Sequence, residues 1–323
     1  MRCILGSNPR YSNHRVTLLA GGVGGARMAR ALRAVLDPGL LTVIVNVGDD
    51  TERYGVHVSP DPDTVLYTLA DVVGPHGWGR ENDTTSVMDS LDQQGIDTSF
   101  TLGDLDLGLC MARTLLLQDG EPLSAVTKRF AANFGLDDIT LLPASDDLLR
   151  TFVEIADASW LPFQEYFVDR QHSDAVQAIA YHGAVDAKPA PGVIDAIGEA
   201  DTVLIAPSNP PLSIWPILAI DEIDAAVVRH ANTAAVSPLF GGSALKGPAR
   251  EVMHGLGLPP GTRGVLEAYA RHVDTLFIDS GDARDQTLGS EFDIRVEPCD
   301  TRLTPDERGR SFASHVLETM THG

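Results

Sequence analysis

The chain has 323 residues, 43% of them hydrophobic, and a formal net charge of -21. That is enough apolar side chain for one large or two ordinary domains, while the acidic balance excludes a nucleic-acid or anionic-membrane partner, both of which need a basic surface. An anionic substrate must therefore meet a local patch of arginine, lysine or metal. Cys3, Cys110 and Cys299 form no CxxC pair, so neither a disulfide framework nor a structural zinc site is indicated, and a cytoplasmic setting is expected. No run approaches the roughly 20 apolar residues of a membrane span. Met1 to Arg15 lacks the apolar core of a signal peptide and reads as a disordered leader.

Val16 to Ala20 is a short apolar strand running into GGVGGAR, after which Met28, Leu32, Val35 and Leu36 recur at helical spacing. Gly21, Gly22, Val23, Gly24 and Gly25 form a candidate phosphate loop, whose glycines bring backbone close to a ligand at a helix start. A purely structural glycine turn is the alternative. The loop has no GK[ST], so it is not a Walker loop, and Arg27 stands where the dinucleotide pattern needs its third glycine. Leu41 to Val45 is the next buried strand and stops at Asn46. A dinucleotide fold would carry an acid there to hold a ribose, which argues against a nicotinamide-dependent oxidoreductase.

Asp49 and Asp50 follow at the carboxyl end of that strand, where parallel sheets place their ligands. Asp61 and Asp63 come next, in a proline-interrupted turn before the helix-like run VLYTLADVV. Two carboxylate pairs on adjacent loops suit a hard divalent cation, and magnesium is the natural candidate. Helix caps and turn formers are the alternative use of such aspartates. His57 lies between the pairs, but no HxxxH or HxH spacing supports zinc, so a structural or supporting role is expected.

From about residue 74 to 135 the pattern is mostly helical, with helices expected around 86–94, 105–118 and 123–134 and strands at 139–142, 151–155 and 175–181. This middle third breaks the βα alternation and reads as an insertion at about 74–190 that covers the site. Within it, LGDLDLGLCMART carries Asp104, Asp106 and Arg113. A surface helix salt bridge is the expected fate of Arg113, with a phosphate contact as the alternative. Alternation resumes with a helix at 193–200 and the strand of DTVLIAPSNPP, which ends in Ser208 and Asn209, short polar side chains suited to a base, ribose or phosphate. GGSALKGPA is a second glycine loop, and its Lys246 suits a phosphate. TLFID and DIRVEP supply the last strands. The fold class is α/β, Rossmann-like: a mostly parallel sheet with helices on both faces in one domain over 16–323. No GxSxG elbow and no Cys beside a His supports covalent catalysis.

Several blocks together carry a resemblance: AGGVGGAR, NVGDD, SPDPDTVLYTLA, GWGRENDT, LGDLDL followed by ART, LLPASDD, FQEYFV, APSNPPLSIWPIL and AVSPLFGGSALKGPA. They resemble the 2-phospho-L-lactate transferase family of deazaflavin coenzyme biosynthesis, and GGVGGAR is similar to its bacterial branch, which uses a phosphoenolpyruvyl donor. The resemblance implies a Rossmann-like homodimer that moves a phospho-three-carbon acid from a GDP-linked donor to the ribityl hydroxyl of the deazaflavin Fo, releasing GMP. It further implies that Asp49 and Asp63 bind magnesium and that Asp49 and Asp50 are catalytic. Asp50, Thr64 and Arg80 would face Fo, while the GGVGG loop, Ser208, Asn209 and Lys246 would serve the nucleotide. Two departures stand out: Leu105 replaces the family's usual Arg, and Cys110 its usual His. Arg80 sits one place from the basic residue expected in the GWG segment. The rival reading is a non-catalytic nucleotide-sugar-binding regulator similar to gluconeogenesis-factor-like proteins, which need not keep the SPDxDT and LGDxDL acids present here.

Overall fold

A computed structural model describes residues 11–244, 248–305 and 307–322. Seven strands form the central sheet: β1 (Val16–Ala20), β2 (Leu41–Val45), β3 (Thr140–Pro143), β4 (Thr202–Ile205), β5 (Thr233–Val236), β6 (Thr275–Asp279) and β7 (Arg295–Cys299). Every pairing between them is parallel, in the order β7-β6-β5-β4-β1-β2-β3. Continuous apolar runs such as VTLLA and TVLI are what such a sheet demands, because both of its faces are covered. Leu18, Val43 and Leu204 point into one core with Met28, Leu32, Val65 and Val316, while Leu19, Ile44 and Ile205 enter the opposite core with Ile197, Val227 and Leu266. The sheet therefore has helices on both faces and a Rossmann-like order, as expected.

Strand order reverses at β1, whose neighbours are β2 and β4. In open α/β sheets this switch point opens the crevice in which ligands bind.

Two expectations need correction. β3 lies at 140–143, inside the stretch read as an insertion, yet it pairs with β2 and forms one edge of the main sheet; the helix Leu123–Asn133 packs against it. The added structure is thus the segment before that helix and the antiparallel sheet of Arg150–Ile155, Trp160–Pro162 and Val176–His182. Residues 11–15, expected in a disordered leader, are packed: Tyr11 is buried and donates to the Ser314 carbonyl at 3.0 Å, and the Arg15 amide donates to Asp201 at 2.7 Å. An aromatic ring beside the C-terminal helix Glu307–His322 explains the order. Residues 1–10 lie outside the described residues. Among the described residues no helix is long and apolar enough to cross a membrane.

Candidate active site

The exits of β1, β2 and β4 lie side by side and carry the glycine loop, the Asn46–Asp50 turn and the Pro207–Asn209 segment. The glycines follow from crowding. A Cβ on Gly24 would stand 2.1 Å from the Pro207 carbonyl oxygen, and one on Gly21 would stand 2.7 Å from an Asp61 oxygen. Gly22 alone of the loop has positive φ, at 60°. Ser208 Oγ donates to the Gly21 carbonyl at 2.6 Å, and Asn209 Oδ1 accepts from the Leu212 amide. Ser208 thus ties two loops together, and Asn209 caps the helical turn that follows it. Gly24→Ala is therefore expected to destabilise by about 1–3 kcal/mol through overpacking, where an unhindered helical Gly→Ala change stabilises by about 0.5–1 kcal/mol. A thermal melt reads the sign: a higher melting temperature would refute the close approach.

Asp49, Asp50, Asp61 and Asp63 are each at most 6% exposed. Asn46 organises them. Its Oδ1 accepts from the Gly48 amide at 2.8 Å, shaping the turn, and its Nδ2 donates to Asp61 Oδ2 at 2.9 Å. The Gly22 amide also binds Asp61, so a carboxylate of the helix Pro60–Leu69 meets the helix start expected to hold phosphate. Burial pushes Asp61 up to about 6, against the Asn46 amide. Burial raises Asp49 well above the carboxylate range, and Asp61 adds to it. Asp50 Oδ2 accepts from His57 Nε2 and Ser59 Oγ, both at 2.8 Å.

Asp63 is paired with Arg113, which is buried rather than on the surface as expected. Burial pushes Asp63 up to about 7, with Arg113 opposing. Arg113 also lies over the Phe130 ring and donates to the His57 carbonyl at 3.2 Å. Asp63, Asp106 and Cys110 offer donor atoms within 4.8 Å of one another, but Arg113 and Tyr67, whose hydroxyl donates to Asp106 at 2.7 Å, already serve that acid pair. Asp104 serves the fold, because its Oδ1 accepts from the Val87 amide at 3.0 Å and caps the neighbouring helix. Thr64 is buried on the same helix as Asp63. Arg80 lies over the rings of Tyr67 and Phe134, and a Cβ on Gly77 of its loop would stand 3.0 Å from Val23 Cγ1 of the glycine loop. Leu105 faces solvent and Cys110 is buried, so the two departures fall on different sides of the helix Asp104–Gln118. Lys246 lies outside the described residues.

The added antiparallel sheet roofs this cluster. Gln164 Nε2 donates to the Asp49 carbonyl at 3.1 Å, and the Thr151 amide donates to the Gly48 carbonyl at 2.8 Å. Burial, with Asp49 adding, raises the Tyr181 hydroxyl. Sequence reasoning missed three contacts: Gln164 on Asp49, Asn46 on Asp61, and His57 on Asp50. The last had a readable signal. Tyr54 and Gly55 both have positive φ and turn Thr51–Arg53 back on Val56–Val58, so a two-residue hairpin was written in TERYGVHV.

Two oxygens, Asp49 Oδ1 and Asp50 Oδ1, are buried with no hydrogen-bond partner. Among crowded carboxylates, unmatched anionic oxygens fit a hard divalent cation. A pH dependence follows. Below the ordinary carboxyl value of 3.8, Asp61 is protonated whether the chain is folded or not. From there to about 6 the unfolded chain releases a proton that the folded one keeps, so stability falls as pH rises. The magnesium-free protein should melt lower near about pH 8 than near about pH 5, and magnesium should raise the melting temperature mainly at the higher pH. Equal gains at both would count against a cation on these acids.

The parallel sheet with helices on both faces, carrying a glycine loop and four buried aspartates at its switch point, is of the Rossmann-like class. A family model for "2-phospho-L-lactate transferase CofD" matches residues 16–312, and the chain belongs to that family. It is 39% identical to a phosphoenolpyruvate transferase of Streptomyces griseus, covering 94% of this chain and 98% of that one. It is 36% identical to a 2-phospho-L-lactate transferase of Methanopyrus kandleri, covering 95% and 98% respectively. Among solved structures, a member of the UPF0052 family from Bacillus halodurans shares the fold, with a TM-score of 0.62 at 15% identity over 94% of this chain and 99% of that one.

Proposed function

We propose that the protein transfers a phosphoenolpyruvyl or 2-phospholactyl group from a GDP-linked donor to a ribityl hydroxyl of the deazaflavin Fo, releasing GMP and giving the precursor of coenzyme F420. Family membership over residues 16–312 and the names of its relatives support the reaction class. The observation that carries the site is the pair of buried, unpartnered oxygens on Asp49 and Asp50 beside the glycine loop.

In the reaction, the ribityl oxygen attacks the phosphorus that bears the three-carbon acid, the bond to the bridging oxygen breaks, and GMP leaves with that oxygen. Positioning and neutralisation of charge supply most of such a rate. Asp50 Oδ1 takes or orients the hydroxyl proton while Oδ2 stays anchored by His57 and Ser59. Thr64 and Arg80 flank the acceptor. The GGVGG backbone and Lys246 serve the donor's phosphates. Asp49 and Asp63 would hold magnesium, Asp63 in exchange for its pairing with Arg113, and the ion would supply neutralisation of the donor's charge. Asp61, the carboxylate that raises Asp49 most, is the other candidate ligand. The roof of Gln164 and Thr151 excludes water from the acids.

The decisive experiment offers the enzyme Fo, magnesium and each GDP-linked acid in turn, and reads the product's mass. Expected is one phospho-acid adduct of Fo with stoichiometric GMP. Binding of donor and Fo with no adduct from either acid would overturn the reading in favour of a non-catalytic binder.

A further inference from the structure

His57 sits on the hairpin Thr51–Val58 that folds back over the Asp49–Asp50 turn. Its main chain is gripped twice by the helix Asp104–Gln118. The His57 amide donates to Thr114 Oγ1 at 2.7 Å, and its carbonyl accepts from Arg113 Nη1 at 3.2 Å. With its backbone fixed, the ring delivers Nε2 to Asp50 Oδ2 at 2.8 Å. It also lines a polar cavity of about 300 Å³ with Glu52, Thr114, Gln118 and Arg150. Asp50 Oδ2 thus has two donors, while the buried Oδ1 has none.

We propose that His57 is a positioning residue for the transfer: it holds Asp50 Oδ2 through a protonated Nε2, so that Oδ1 alone is presented to the acceptor hydroxyl. This role rests on the reaction just proposed. An ionised carboxylate accepts only, so the ring must donate, which fixes the tautomer with hydrogen on Nε2. A carboxylate free to rotate would offer the hydroxyl either oxygen at varying angles, and the rate depends on that geometry. The Thr114 and Arg113 contacts extend the same positioning to the helix behind the hairpin.

The test is a double-mutant cycle of His57→Leu and Asp50→Asn, with His57→Gln as the variant that keeps a side-chain N–H. His57→Leu should lower kcat by about 10–100-fold, the usual loss when an outer partner of a functional group is removed, with KM for both substrates within about twofold. His57→Gln should recover most of kcat. In an Asp50→Asn background His57→Leu should cost nothing further, because it acts only through Asp50. Additive losses, or wild-type kcat for His57→Leu, would overturn the proposal. Failure of the wild-type enzyme to turn over would instead count against the transfer reaction. Independently of turnover, nitrogen NMR of labelled histidine should find His57 protonated at Nε2, and a ring carrying hydrogen only on Nδ1 would contradict the assignment.

Discussion

Asparagine in place of Asp49 should reduce transfer about 10²–10³-fold, the loss typical of removing one charge-stabilising group from an active site, while the fold persists or gains stability. Both halves come from the same environment. Asp49 is buried, its Oδ1 has no partner, and burial together with Asp61 pushes its carboxyl well up. Such a group costs folding free energy near neutral pH whenever it must ionise. Removing the charge relieves that cost and simultaneously removes the ligand for a cation. The check is product formation at saturating substrates beside a melting curve without magnesium. A variant that keeps turnover and magnesium dependence would remove Asp49 from the metal site, and one that melts lower would show that the carboxylate is structurally satisfied.

The largest stability effect is expected at the Asp63–Arg113 pair. Both residues are buried, at 5% and 2% exposure. Asp63→Asn strands a buried guanidinium, and losing one partner of such a pair costs about 3–5 kcal/mol. Replacing both residues with apolar ones of similar volume should recover most of this, because a buried pair and a well-packed apolar substitute are often near equal. Arg113 is suited to the second change, since its guanidinium already lies over the apolar ring of Phe130. Denaturant midpoints of the single and double variants test the claim. A single variant within about 0.5 kcal/mol of the parent, the range of ordinary surface changes, would mean that Arg113 finds another partner.

The sheet was readable because apolar runs such as VTLLA, LTVIV and TVLI have the length and branching of strands buried on both faces. Their turns were readable because GGVGG, NVGDD and PSN interrupt those runs abruptly. What escaped was everything set by contact between distant segments. No local pattern says that Asn46 will reach Asp61 and not a ribose, or that Gln164 will land on the Asp49 carbonyl. Arg113 shows the same limit: its helix has apolar residues on most sides, so periodicity gives no face, and burial beside Asp63 follows only from how the helix crosses the hairpin. β3 was read as part of an insertion because a hairpin and four helices separate it from β2, although its pairing with β2 is regular.

A resident divalent cation at the Asp49 turn is the claim on which the chemistry rests, and manganese reports it directly by electron paramagnetic resonance, since the free ion signal falls as the ion binds. Titrated in the presence of GDP, the parent protein should bind one manganese per chain in competition with magnesium, and Asp49→Asn should bind none at the same concentrations. Equal stoichiometry and affinity in the two proteins would place the cation elsewhere and contradict a metal-assisted transfer at this turn.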